Sequence, residues 1–177
     1  MTNQNEEALP GENNLQLTHL DESGSIHMVD VTERPETSRG AIAKARVRMA
    51  PSTLHLIETN QVAKGSVLEV AKIAGIMAAK QTPQLIPLCH PLPMTHIDLR
   101  FTLESEQGLL WIEGQTRTHY KTGVDVEALT AVTVAALTIY DMCKGIDTTI
   151  TIEQAYIAQK SGGKSGTVTF EPAERSH

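Results

Sequence analysis

The sequence predicts an α+β sandwich of the split βαβ type, with an antiparallel sheet and one additional helix. Two segments alternate apolar and polar residues with a period of two. Two others carry apolar residues at helical intervals, and the whole runs in the order β-α-α-β-β-α-β.

The first alternation places Ala41, Ala43, Ala45, Val47 and Met49 on one face and Ile42, Lys44, Arg46 and Arg48 on the other, as in a half-buried strand. Pro51 suits the first turn of a short helix reaching Glu58. Ser66 and Glu69 have the spacing of a capping box, and Val67, Val70, Ala71, Ala74, Met77 and Ala78 follow at helical intervals. Pro83, Pro87, Pro91 and Pro93 end that helix in a loop. Alternation resumes at Ile97, Leu99, Phe101 and Leu103; Ser105 to Gly108 is turn material, and Leu109 to Tyr120 forms the second arm of a hairpin. The segment from Gly123 to Cys143 is apolar nearly all round, as a buried helix is, with Thr122 and Asp125 placed to cap it and Gly145 to stop it. Thr148 to Lys160 reads as strand again.

A two-layer domain covers one face of its sheet with helices. A helix apolar all round therefore asks for a second protein surface, most simply another copy of the chain.

The 177 residues suit one domain, expected over 16–170, between a flexible acidic tail at 1–15 and a short flexible tail at 171–177. The net charge of −6 and an aromatic content of 3 % argue against a nucleic-acid-coating surface or a stacking platform. No run of about 18 apolar residues is free of polar interruption, and the polar N-terminus lacks the pattern of a secretory signal, so no membrane partner is expected. Cys89 and Cys143 form no CxxC pair and read as reduced thiols of a cytoplasmic protein.

Four clusters could carry chemistry. Prolines on both sides of Cys89-His90 stiffen the backbone and suit the positioning of a donor or acid–base group, although a rigid connector with an incidental histidine has the same pattern. Asp141 and Lys144, at i and i+3, share a helix face; they form an ordinary surface pair unless partly desolvated, when the lysine could lose a proton near neutrality or hold a phosphate. Asp125 has a capping role to fill, whereas Glu127, among Val126, Ala128 and Leu129, needs a partner that a helix N-terminus can supply. Lys160 to Gly166 contains a GKS triplet, but Ala158 stands where a Walker motif needs glycine and Thr167 to Glu171 reads as strand, so the P-loop reading fails; a glycine-rich turn with two lysines can still receive an anion. The seven histidines show neither HExxH nor HxH spacing, and no metal site is expected.

Glu127 and Asp141 are fourteen residues apart, about 21 Å along a helix at 1.5 Å per residue. One small molecule can meet both only in a pocket between subunits.

LIPLCHPL (85–92), TGVDVEALTAV (122–132), AALTIYDMCK (135–144) and AQKSGGKSG (158–166) resemble the molybdenum cofactor biosynthesis protein C family, as do HMVDV (27–31), KG (64–65) and IAGIMAAK (73–80). The resemblance spans about residues 16–168. It implies a ferredoxin-like fold and a homohexamer, a trimer of dimers with active sites at the dimer interface. The implied activity is a cyclic pyranopterin monophosphate synthase acting on cyclised dihydro-GTP, with pyrophosphate released. No redox cofactor is implied, and whether Mg2+ accompanies the triphosphate stays open. Carried over, Asp141 becomes the catalytic acid–base group with Lys144 beside it. Leu88, Cys89, His90, Val126 and Glu127 would line the substrate site, and Lys64 and Lys160 would serve the ring and triphosphate. Asp125 stands where many relatives carry glutamate. Two other classes fit the same residues less fully: a non-enzymatic oligomer that binds a purine nucleotide, and a structural oligomer in which Lys144 is exposed and paired only with Asp141.

Overall fold

A computed structural model describes residues 24–163 and 166–171, so the expected tail at 1–15, and all of the C-terminal one but Glu171, lie outside the described residues. Contacts divide the chain into Met1–Asp30 and Val31–His177. In the first unit, Ile26 and Met28 are exposed. Among the described residues, the second holds the helices and the five-stranded sheet.

Alternating residues make strand β1 (Thr37–Arg48), which pairs antiparallel with both β3 (Leu109–Tyr120) and β4 (Thr151–Ser161). Strand β2 (Met94–Glu104) pairs with β3, giving the order β2-β3-β1-β4-β5, with the short β5 (Thr167–Thr169) at the edge. The strand order and the two long helices are those of a ferredoxin-like α+β fold. Strand β5 adds a fifth strand to the four in the expected order; the β-forming residues at 167–169 find their partners at Gln159–Ser161.

Among the described residues, four α-helices complete the unit: α1 (Pro51–Glu58), α2 (Val67–Lys80), a single turn α3 (Thr82–Leu85) and α4 (Asp125–Cys143). Proline begins α1 as expected. Ser66 is the N-cap of α2 but makes no side-chain capping bond. The expected box at α4 does not form either: Val124 is its N-cap, Asp125 is engaged elsewhere, and Gly145 does not take the left-handed conformation of a glycine stop.

The core lies between the helices and one face of the sheet. Ala41, Ala43, Ala45 and Val47 of β1 are buried there with Leu110 and Ile112 of β3 and Ala128, Ala131, Val132, Ala135 and Ile139 of α4. Alanines on both elements let helix and sheet approach closely. The buried stripe of α2 is Val67, Ala71, Gly75, Ala78 and Ala79, not its larger residues. Val70, Ile73 and Met77 face outward, as do Leu137 and Tyr140 of α4. Helix α4 is therefore not buried all round. Against expectation, it is also long and apolar enough to cross a membrane by length and composition, yet half of it is buried on the sheet.

A second anchor joins the end of α4 to α1. Asp147, 7 % exposed, accepts bonds from the Ala50 N–H at 2.8 Å and from the Thr149 N–H and hydroxyl at 2.8 and 2.6 Å. Burial alone would raise its carboxyl, but bonds from Thr149, Ala50 and Thr53 outweigh it and hold the group at about 2, against an ordinary 3.8.

Two stability predictions follow from these contacts. A Cβ on Gly75 would lie 2.6 Å from Leu99 Cδ2 and 2.8 Å from the Ala131 carbonyl oxygen, so Gly75→Val should destabilise by about 1–3 kcal/mol in chemical denaturation. The depressed Asp147 carboxyl contributes stability that is full above pH 3.8 and lost as pH falls towards 2. Asp147→Asn should cost about 1–3 kcal/mol at neutral pH, and stability in acid should then fall less steeply than in the parent.

Candidate functional site

Helix α4 carries candidate residues at both ends, Val126 and Glu127 in its first turn and Asp141 in its last, with Lys144 following. Two buried threonines of β3 position the first end. Thr116 Oγ1 donates to the Val124 carbonyl at 2.9 Å, and Thr118 Oγ1 to the Pro93 carbonyl at 2.7 Å. Two residues apart, they face the same side of the sheet. They pin the start of α4 beside the end of the proline loop.

Cys89 of that loop consequently meets Glu127, with Sγ 3.6 Å from Oε1. Glu127 is 2 % exposed and its Oε2 is buried without a hydrogen-bond partner. Burial pushes its carboxyl up and the Asp125 charge adds to this, while its own backbone N–H and the Cys89 thiol act the other way. Burial, followed by the Glu127 charge, pushes the Cys89 thiol up to about 12, so the thiol is protonated at neutral pH. Leu88, His90 and Val126 are half-buried close by in sequence. Glu127 lines a cavity of about 320 Å3 with Lys80, Gln84, Pro91, Pro93 and Met94.

Asp125 pairs with Lys160 of β4 at 2.6 Å. Both line a second cavity of about 320 Å3, with Arg39, Gly162 and Gly166. Gly162 and Gly163 have φ of 95° and 71°. A Cβ on Gly162 would strike the Ser38 carbonyl oxygen, and one on Gly163 the Arg39 guanidinium. Glycine alone lets this turn close over Arg39. Lys164 lies outside the described residues.

At the other end of α4, Lys64 Nζ donates to the Asp141 carbonyl at 2.8 Å and lies 3.9 Å from Oδ2, while Lys144 Nζ is 2.7 Å from Oδ1. The three side chains are 53–60 % exposed. The desolvation that would make Lys144 a neutral amine is absent within one protomer. The Lys144 hydrogen bond and charge, then the Lys64 charge, hold the Asp141 carboxyl below its ordinary value; the same pairing with Asp141 holds the Lys144 ammonium above its own. At neutral pH this is an ionised base between two cations.

Cys89 thus comes together with Glu127, Lys160 with Asp125, and Lys64 with Asp141 and Lys144. The two ends stay about 21 Å apart along the axis. Among the described residues no group of three or more His, Cys, Asp or Glu is placed to hold a metal ion. Sequence reasoning overlooked Arg39 and Lys80, which line the two cavities. Arg39 reads as an ordinary strand-start cation, and Lys80 as a cation suited to a helix C-terminus; only the IAGIMAAK match pointed towards the latter.

The MoaC family model matches residues 28–163. A cyclic pyranopterin monophosphate synthase of Thermomicrobium roseum is 51 % identical over 92 % of this chain and 98 % of its own. Those of Heliobacterium modesticaldum and Pelotomaculum thermopropionicum are 53 % and 55 % identical over 85 % of this chain and 94 % and 88 % of theirs. With a family match over most of its length and relatives so similar along almost all of theirs, this chain belongs to the MoaC family.

Proposed function

We propose that the protein is a cyclic pyranopterin monophosphate synthase, a phosphorus–oxygen lyase that converts cyclised dihydro-GTP to cyclic pyranopterin monophosphate and releases pyrophosphate. The observation that carries this reading is the convergence of Lys64 and Lys144 on Asp141, in a chain whose relatives bear that enzyme's name.

The reaction rebuilds a ring system and closes a cyclic phosphate. Rebuilding the ring moves protons several times, which calls for side chains that can accept and donate them; in one protomer Asp141 is held ionised, able to accept a proton, and Lys144 protonated, able to donate one, each by its pairing with the other. In the closure, a substrate hydroxyl attacks the phosphorus nearest the sugar, a P–O bond forms, and the bond to the bridging oxygen breaks with its electron pair leaving on pyrophosphate. The hydroxyl proton goes to a base, the role assigned to Asp141. Lys64, Lys144, Lys160 and Arg39 are the cations available to the phosphate oxygens. The reading requires no resident cofactor; any Mg2+ would arrive with the triphosphate. Two free thiols suit work in a reducing cytoplasm.

The site is completed between copies, in a hexamer built as a trimer of dimers. Supporting this are the separation of the two clusters and the apolar residues Val70, Ile73, Met77, Leu137 and Tyr140 on the outer faces of α2 and α4. A structural oligomer accounts for the exposed Asp141–Lys144 pair but gives Lys64 no reason to join it. A nucleotide-binding module accounts for the lysines but leaves the Asp141 base without a role.

Asp141→Asn and Lys144→Ala should each lower turnover of cyclised dihydro-GTP by about 10²-fold or more without altering circular dichroism, since both side chains are exposed. Near-parental turnover in either variant would remove the catalytic assignment. In sedimentation, Ile73→Asp should yield smaller species with a parallel loss of turnover; a monomer of full activity would contradict the shared site.

A further inference from the structure

Lys64 lies on the link between α1 and α2, and the turn that carries it is fixed from both sides. Helix α1 ends with Asn60 in the left-handed region at a φ of 55°. The Asn60 N–H donates to the Ile57 carbonyl at 3.1 Å and the Gln61 N–H to the Leu56 carbonyl at 2.8 Å, the paired bonds that stop a helix and turn the chain. Val62 then enters the core, 7 % exposed. The Gly65 N–H donates to the Val62 carbonyl at 2.9 Å, closing a turn with Ala63 and Lys64 at its centre. Ser66 follows at once as the N-cap of α2. Gly65 has a φ of 99°, beyond the narrow left-handed region, roughly +50 to +70°, that residues with a Cβ can enter. A Cβ there would meet no atom of the described residues within 4 Å. Backbone conformation, not crowding, therefore reserves the position for glycine.

With Val62 held in the core and Ser66 held by α2, any relief of φ at residue 65 falls on the exposed residues between them, Ala63 and Lys64. The Lys64 ammonium has a definite destination. Nζ donates at 2.8 Å to the Asp141 carbonyl, in the last turn of α4 where the helix runs out of its own donors, and lies 3.9 Å from Oδ2. The fold brings the turn to the end of α4, and the turn decides from where the side chain reaches. We propose that Gly65 is a positioning residue for the reaction: its left-handed backbone, set between buried Val62 and the start of α2, holds the Lys64 ammonium on the last turn of α4. This rests on the synthase reading, in which Lys64 serves the substrate, and adds to it the residue that places that cation. Gly65 acts only through Lys64. Asn60 is left-handed too, but it lies on the far side of the Val62 anchor and has no such role.

Two measurements on the full-length protein test the proposal. In kinetics with cyclised dihydro-GTP, Gly65→Ala should lower kcat about tenfold or more, because a small displacement of a working group is costly. Gly65→Asn should lose only about threefold, since asparagine enters the left-handed region more readily than alanine. Asn60→Ala should lower the melting temperature by an amount comparable to Gly65→Ala, yet keep kcat within about twofold of the parent. The second measurement needs no turnover: titration of the Asp141 carboxyl carbon by NMR. The Lys64 charge helps to hold that carboxyl down, so Gly65→Ala should move its midpoint upward, as Lys64→Ala does. Combined with Lys64→Ala, Gly65→Ala should add nothing further. The proposal is overturned if Asn60→Ala loses as much kcat as Gly65→Ala, if the Asp141 midpoint in Gly65→Ala stays where it is in the parent, or if the double variant moves beyond Lys64→Ala alone. A parent protein that does not convert the nucleotide, but whose Asp141 midpoint responds as described, would instead overturn the synthase reading and leave the hold of Gly65 on Lys64 standing.

Discussion

The close seat of α4 on the sheet is the constraint from which the remaining features follow. Three alanines of β1 face alanines of the helix, and Gly114 of β3 lies beneath Val132, where a Cβ would come within 2.7 Å of Cγ1. Larger residues at these positions would lift the helix off the strands. Seated closely, α4 acts as a spacer of fixed length: its first turn carries Glu127 and Asp125, its end carries Asp141 and Lys144, and nothing in a rigid helix can bring them nearer. The same closeness brings Thr116 within reach of the Val124 carbonyl, which joins the helix start to the strand that also holds the proline loop.

The two ends differ in how they manage charge. At one, Asp141 is exposed and flanked by Lys64 and Lys144, so water and two cations keep it ionised. At the other, Glu127 is buried and meets a thiol instead of a cation. Carboxyl groups of similar intrinsic strength are thereby driven in opposite directions by their surroundings.

Most of the fold is legible in the sequence because its strands are covered on one face, which imposes a strict period of two on residues 41–49 and 97–103. Proline at 51 likewise marks the start of α1. The stretch from Thr167 reads as strand, and β5 forms there, but it is too brief to carry a period that would place it in the sheet order; the single turn α3 is likewise too brief. The inward face of α2 is read in part: Val67, Ala71 and Ala78 are buried as expected, and the remainder is misread for a physical reason. Hydrophobicity points to Val70 and Met77, but close helix packing selects Gly75 and Ala79, and the larger apolar residues turn outward. The expected cap at Asp125 fails because Lys160, thirty-five residues further along, competes for the carboxylate. That partnership, like the approach of Lys64 to Asp141, is made by the sheet order and has no local signature. Peptides such as LCHPL and YDMCK mark the site residues in the sequence; the arrangement of their side chains belongs to the fold.

Mixing two impaired proteins addresses the shared site most directly. If residues from both ends of α4 serve one ligand across a dimer interface, Asp141→Asn and Glu127→Ala chains co-assembled in equal amounts generate one intact site in each mixed dimer. With half the dimers mixed, turnover should recover to about a quarter of the parental value. Recovery no greater than the average of the two variants alone would mean that each chain builds its own site, and the account of α4 as the spacer between subunits would be wrong.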